Sequence, residues 1–246
     1  MSYDAVISNP PYSLDWSMNK SLAIDGYPLA PKSKADWQFV LEGIDQLDDN
    51  GAAVYVLPHG VLFRGSAEAK IRQRVIEEGH LDAVIGLPDK LFDVTGIPVC
   101  LLVLKKHRAA TDTLFIDASQ DFEKAKNKNI LKPEHVKRVV ETYQAREDVD
   151  RYAHVATFEE MRENEFNLNI PRYVDTFVPE PVPTLTEIMN DMSDIDAQVA
   201  HNEQELATQF SQLKARTPEA QAELDRFVKF FGKRAKQHRE EQLTLL

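Results

Sequence analysis

The sequence is poor in the features that build a glycine-rich nucleotide loop. Its nine glycines are placed so that no two are separated by a single residue. No G-x-G exists, so there is no dinucleotide fingerprint, and G-x-x-x-x-G-K-[ST] is absent too. The single cysteine, Cys100, excludes an internal disulfide and a multi-cysteine zinc centre, and no metal site is expected. No apolar run approaches the ~18–20 residues of a membrane span. Met1-Ser2-Tyr3-Asp4 carries no basic stretch leading into an apolar one, so no secretory signal is visible and a cytoplasmic location is the default. No His/Asp or Cys/His cluster suggests nucleophilic or general-base chemistry.

What is present fits an ordinary globular chain. Apolar residues make up 43% and charged residues 28% of the 246 positions, enough for a sizeable core. The net charge of −11 is uneven: residues 1–110 carry −3, residues 111–213 carry −11, and residues 214–246 carry +3. An acidic chain of this kind does not attract nucleic acid through its bulk field, so any such contact must be local or shared with a basic partner.

Apolar runs at 4–8, 52–57, 82–87 and 98–105 read as strands, the first three continuous and therefore buried on both faces. Residues 35–48 and 66–78 show helical spacing, with Asp49-Asn50-Gly51 as a turn, Ser66 as an N-cap and Gly79 as a helix end. About ten residues without helical pattern separate the last two strands, which predicts an antiparallel connection. The class is α/β with a mixed sheet, and the pattern calls for further strands before residue 4. Residues 111–183 are mixed: a strand at Thr113–Asp117, a helix after Lys132-Pro133, another near Thr157–Glu163, then a proline-punctuated linker at 178–183. Leu185, Ile188, Met192, Ile195, Val199, Asn202, Leu206 and Leu213 follow heptad spacing, predicting a helix over 185–214 capped by Thr184 or Thr186. Thr217-Pro218 breaks it before a second helix over 219–240.

The segment that points to chemistry is Asn9-Pro10-Pro11-Tyr12, directly after a strand. A strand-ending turn explains it equally simply. Its placement matters, because ligands of open α/β sheets bind at the carboxyl ends of strands. The exocyclic amine of adenine is a poor nucleophile, its lone pair being delocalised into the ring. Two acceptors aimed at its N–H groups help localise that pair. Asn9 offers a side-chain carbonyl, and Pro10 a backbone carbonyl stiffened by the following proline. Tyr12 offers an aromatic face for a base drawn out of the duplex.

Tyr3–Tyr12, YDAVISNPPY, resembles the catalytic motif of amino-group DNA methyltransferases that use S-adenosylmethionine. Leu57–Gly65, LPHGVLFRG, Leu81–Leu104, LDAVIGLPDKLFDVTGIPVCLLVL, and Phe166–Phe177, FNLNIPRYVDTF, resemble the modification subunit of type I restriction–modification systems, an N6-adenine methyltransferase. The resemblance implies that Asn9, Pro10, Pro11 and Tyr12 are catalytic and that Phe92 contacts the extruded base from the other side, though Phe92 also reads as a core aromatic. It implies a Rossmann-like methyltransferase sheet and S-adenosylmethionine as cosubstrate. The implied partners are DNA, a specificity subunit, a restriction subunit and a second modification subunit.

The family's cofactor loop and ribose-binding acid lie on strands before its Asn-Pro-Pro-Tyr, where only eight residues stand here. The resemblance therefore implies a C-terminal portion, from a gene cut short, a split gene or an excised piece, inactive by itself. Residues 1–110 would be the target-base half of the catalytic domain, 111–183 an extension and linker, and 184–246 a helical hairpin or coiled-coil tail. A non-catalytic module docking a specificity subunit is the alternative. A methyltransferase acting on protein glutamine or RNA is a third reading, disfavoured by Asn-Leu-Asn-Ile-Pro-Arg-Tyr.

Weaker signals stay open. Arg64 suits a phosphate or cofactor contact, or more simply a cap or surface ion pair. A lone His59 is assigned no role. Asn167, Asn169, Arg172 and Tyr173 suit DNA contact or a clamp between domains. The basic segment 226–239 suits a partner or a solvated helix face.

Overall fold

The computed structural model describes residues 2–17, 20–93, 95–177 and 182–245; the side chains of residue 20 and of 238–245, and the 178–181 part of the expected linker, lie outside the described residues. Residues 1–177 and 178–246 form two compact units.

Among the described residues, eight strands and four α-helices make the first unit. In chain order they are β1 (Tyr3–Ser8), α1 (Asp36–Gln46), β2 (Leu47–Pro58), α2 (Ser66–Glu77), β3 (Leu81–Gly86), β4 (Val99–Lys105), β5 (Thr113–Asp117), β6 (Glu123–Lys124), β7 (Asn129–Ile130), α3 (Pro133–Ala145), β8 (Ala153–Ala156) and α4 (Phe158–Glu163). One six-stranded sheet has the order β1-β2-β4-β3-β5-β8, and β6–β7 form a separate ribbon. β4 runs antiparallel between β2 and β3, β8 antiparallel to β5, and the β1–β2 and β3–β5 pairs are parallel. The fold is the expected α/β class with a mixed sheet. Four strands thus point the same way, and the chain leaves β1, β2 and β3 at one end of the sheet.

Alternation along the strands builds two apolar layers. Ala53, Tyr55 and Leu57 of β2 and Cys100, Leu102 and Leu104 of β4 face a cluster shared with Trp37, Val40, Leu41 and Ile44 of α1 and Ile71, Val75 and Ile76 of α2. Ala83, Ile85, Val99, Val103, Leu114 and Ile116 face the other side, where Val54, Val56 and Leu101 are only partly buried. Gly43 is required within α1: an added Cβ would lie 1.7 Å from the Tyr55 hydroxyl, which donates to the Phe39 carbonyl at 3.0 Å. The sheet runs across residue 110, and β5 and β8 complete it.

Several expectations are corrected. β1 is not buried: it is the sheet edge, and Ile7 is 84% exposed. A continuous apolar run signals two-sided burial only where a neighbour lies on each flank. Asp49-Asn50-Gly51 does not separate a helix from a strand. It belongs to an irregularity inside β2, between the Tyr3–Leu47 and Ala5–Ala52 pairings. Ser66 does not cap α2. It lies inside the helix at φ +57°, Gly65 occupies the N-cap, and no side chain caps it. Gly79 does end α2, at φ +72°, with its N–H on Ile76 and that of His80 on Val75. β6, β7 and β8 were not expected; each is four residues or shorter, too short to show a period.

The second unit is a helical hairpin, α5 (Leu185–Ser211) and α6 (Pro218–Leu245). Thr184 caps α5 reciprocally with Glu187. The face of α5 buried within the unit carries Ala200, Glu203 and Ala207 rather than Val199, Asn202 and Leu206. Small side chains let the helices approach closely, with Gly232 against Ala207. Phe210–Phe227 and Phe227–Phe231 ring contacts at 4.6 Å and an Arg234–Glu203 pair at 2.8 Å complete the hairpin. Asn202 is exposed, as are Leu185, Met192 and Ile195. No helix among the described residues is long and apolar enough to cross a membrane.

At the opposite end of the sheet from Asn9, buried Asp82 meets Arg108 at 3.0 Å, Lys105 at 3.1 Å and Arg146 at 3.2 Å, and accepts from Tyr143. Burial works to raise its pKa, but hydrogen bonds from Tyr143 and Lys105 and the Arg108 charge outweigh it and hold the carboxyl below its ordinary range. A depressed carboxyl contributes stability that is full above its unfolded pKa of about 3.9 and is lost as pH falls through the folded value. Asp82→Asn is expected to cost about 3 kcal/mol at neutral pH, because it leaves Arg108 and Arg146 to share Asp112 alone and removes the buried charge that Lys105 also meets. In thermal melts the gap to wild type should narrow below about pH 4; an equal loss at every pH would show that the carboxylate charge is not what matters.

Candidate functional site

Asn9 is exposed at the carboxyl end of β1, followed by buried Pro10 and exposed Pro11. Neither proline can donate a ladder hydrogen bond, which ends the strand and turns the chain. The half-buried Tyr12 returns onto it, its hydroxyl donating to Asn9 Oδ1 at 2.8 Å. Burial, with Cys100 nearby, raises the phenol's pKa and keeps it a donor at neutral pH. The Cys100 thiol is fully buried and pushed up to about 12 by burial, so it is no nucleophile.

The next residue is the anchor. Ser13 stands in the left-handed region, φ +50°, which costs a non-glycine residue roughly 1 kcal/mol. Its N–H donates to Asp36 Oδ1 at 2.8 Å, and its Oγ accepts from Arg64 at 3.3 Å and Lys34 at 3.4 Å. Arg64 also meets Asp36 Oδ2 at 2.8 Å and Glu68 at 3.3 Å, and both carboxylates are buried. Gly60 leaves room for this guanidinium; a Cβ there would lie 2.5 Å from Arg64 Nε. Arg64 is therefore an ion-pair residue, but an interior one that ties α1, α2 and the loop after Tyr12 together. Sequence reading missed Asp36, Glu68 and Ser13. A hint lay in Asp36 and Glu68 occupying apolar-facing positions of their helices.

Phe166–Phe177 closes over the same region. Arg72, buried and pushed down to about 10 by burial, donates to the carbonyls of Phe166 at 2.7 Å, Arg64 at 3.0 Å and Val61 at 3.2 Å. Tyr173 stacks on Phe115 with ring centroids 3.8 Å apart and donates to Asn167 O at 2.8 Å. Asn167 Oδ1 accepts from the Asn169 N–H at 3.0 Å, and Arg172 donates to Asn164 at 3.2 Å. The segment is a clamp, but one within the first unit rather than between domains. His59 lies after β2 with Nε2 3.0 Å from Val99 O; burial lowers its pKa, so it is neutral near pH 7.

Phe92 lies in the 87–98 loop after β3. It is half-buried against the same apolar cluster as Tyr12, on the less covered face of the sheet. The two aromatics that sequence reasoning selected therefore share one face at one end.

A groove of about 420 Å³ runs along the open edge of β1, lined by Tyr3, Val6, Ile7, Phe39, Glu42 and Tyr55 among others. It includes neither Asn9 nor Tyr12. Its lining contains no cation and no glycine turn from strand to helix. The lining of this groove thus does not fit a cradle for S-adenosylmethionine. Asp36→Ala is expected to lower stability by about 3 kcal/mol, because it leaves Arg64 facing only Glu68. It should also raise amide exchange at Ser13 above that of the α2 interior; unchanged exchange would show that Asp36 does not hold the loop.

The model of the family described as N-6 DNA Methylase matches residues 1–180. The type I restriction enzyme MpnII methylase subunit of Mycoplasma pneumoniae is 35% identical over 182 residues, 71% of this chain and 34% of its own length. The MjaVIII methylase subunit of Methanocaldococcus jannaschii is 30% identical over 213 residues, 81% of this chain and 36% of its own. The crystal structure of a type I restriction-modification methyltransferase subunit from Streptococcus thermophilus superposes with TM-score 0.69 at 51% identity, covering 72% of this chain and 39% of that one. The chain spans about a third of the length of these curated relatives. With the Asn-Pro-Pro-Tyr turn at the end of β1 and the mixed sheet behind it, these likenesses establish that the chain belongs to the N-6 DNA methylase family.

Proposed function

We propose that this chain supplies the target-base half of an enzyme that methylates the N6 amine of adenine in DNA. The observation that carries the reading is the exposed Asn9 carbonyl at the carboxyl end of β1, oriented by Tyr12. A carbonyl oxygen has two lone pairs, so Asn9 Oδ1 can keep the Tyr12 hydroxyl and accept one amine hydrogen. The Pro10 carbonyl accepts the other. With both hydrogens held, the amine lone pair is localised and directed out of the ring plane, ready for attack on an electrophilic methyl group. Tyr12 and Phe92 hold the extruded base by its faces. The methyl donor, S-adenosylmethionine, is bound elsewhere in the complete enzyme, on strands that continue the sheet from β1.

Two expectations follow. By itself this chain should neither bind S-adenosylmethionine tightly nor methylate DNA, because positioning supplies most of the catalysis. Joined to the donor-binding portion of a related subunit it should do both. In that joined enzyme, Asn9→Ala should lower methyl transfer by roughly 10²–10³-fold or more, the loss typical of one oriented hydrogen-bonding group, with duplex affinity unchanged. Parallel loss of transfer and binding would contradict the role given to Asn9.

A second reading concerns the helical hairpin. Leu185, Met192 and Ile195 expose apolar surface on α5 beyond what α6 covers. This favours docking of a DNA-specificity subunit, the partner through which restriction and further modification subunits would assemble. Deleting residues 184–246 should abolish co-purification with a specificity subunit; undiminished association would eliminate that role.

A further inference from the structure

The β6–β7 ribbon is a run of positive charge in the first unit. Between residues 123 and 132 four lysines stand against one glutamate, in a chain of net charge −11. The Ala125 N–H closes the turn onto the Lys128 carbonyl at 2.9 Å, which places exposed Lys126 and Asn127 at the tip. Lys128 and Lys132 are committed, to Asp93 at 2.9 Å and Glu123 at 3.1 Å. Lys124 and Lys126 are not: both are exposed, and among the described residues neither meets a carboxylate within ion-pairing distance. Lys90, also exposed and loosely paired with Asp89 at 3.8 Å, lines the same open groove of about 350 Å³.

The ribbon is fixed to the loop that carries Phe92. Asn129, only 7% exposed, donates through Nδ2 to Asp89 O at 3.0 Å and Asp89 Oδ1 at 2.8 Å, and through its backbone N–H to Lys90 O at 2.9 Å. Lys128 reaches Asp93, the neighbour of Phe92. A ribbon needed only for solubility has no reason to be locked by a buried asparagine to this loop. The arrangement holds two uncommitted cations at a set place beside the aromatic that the functional reading puts against the base.

We propose that Lys124 and Lys126, with Lys90, form a contact site for the phosphodiester backbone of duplex DNA next to the extruded base. This rests on the reading of the chain as acting on DNA. Extruding a base costs unpairing and unstacking energy, and phosphate contacts hold the duplex in place while it happens; lysines serve that purpose as point charges without reading sequence. A local positive track also explains how an acidic chain handles a polyanion.

The test titrates the full chain into a short labelled mixed-sequence duplex between about 50 and 200 mM salt, followed by fluorescence anisotropy. The double variant Lys124→Ala, Lys126→Ala should bind about tenfold more weakly at the low-salt end. Its log-affinity against log-salt slope should shrink by about two, near one for each lost phosphate contact. The loss should be the same for unrelated sequences. The corresponding double arginine variant should bind like wild type, and melting temperatures should be unchanged. No duplex binding by the wild-type chain, an unaltered slope in the alanine variant, or equal competition by inorganic phosphate would each overturn the proposal. Asn9→Ala tests the functional reading separately. Normal methylation by that variant in a joined enzyme would sink the functional reading while leaving the lysine track standing.

Discussion

The carboxylate of Asp36 holds together the segments from which the site is made. One oxygen accepts the N–H of Ser13, the residue that must turn back after Tyr12; the other pairs with Arg64, which also reaches Glu68 on α2. Buried charges of this kind persist only when each is paired and hydrogen-bonded. That requirement fixes the distance between the end of β1, the start of α1 and the loop after β2. Asn9 and Tyr12 lie only one to four residues from Ser13, so their geometry inherits this rigidity. The strained backbone at Ser13 is sustained by the same contacts.

Burial divides the labour between the sheet's two faces. α1, α2 and the 166–174 segment cover most of one face, and Arg72 stitches the loops there by donating to three carbonyls. The other face is thinly covered near Tyr12 and Phe92. The aromatics selected from the sequence stand on the thin face. β1, at the edge, offers unpaired backbone groups and an exposed Ile7, so further strands adding to this edge would satisfy both.

What the sequence made legible was local. Asn-Pro-Pro-Tyr after an apolar run marks a strand end with two stiffened acceptors, because proline acts on its own residue and its neighbour. Thr184, one of two candidate caps with Thr186, marks a helix start because a cap acts within a single turn. Asp36 was hidden because its partners lie 23 and 28 positions away and no period connects them. The burial of β1 was misjudged because an apolar run does not say how many neighbours a strand has. The hairpin seam was displaced because heptads register large apolar side chains, whereas Ala200, Ala207 and Gly232 pack through their smallness. The lysine ribbon went unread because β6 and β7 have two residues each, and only the folded loop brings them beside Phe92.

We propose that the Asn9 and Pro10 carbonyls orient an exocyclic amine of a DNA base. Nucleoside analysis of duplex DNA after incubation with labelled S-adenosylmethionine tests it most directly, using this chain joined to the donor-binding portion of a related methylase subunit. The label should appear in N6-methyl-deoxyadenosine and nowhere else. Label on cytosine, on a ring nitrogen or on protein, or an unlabelled duplex from a folded and donor-binding complex, would contradict it.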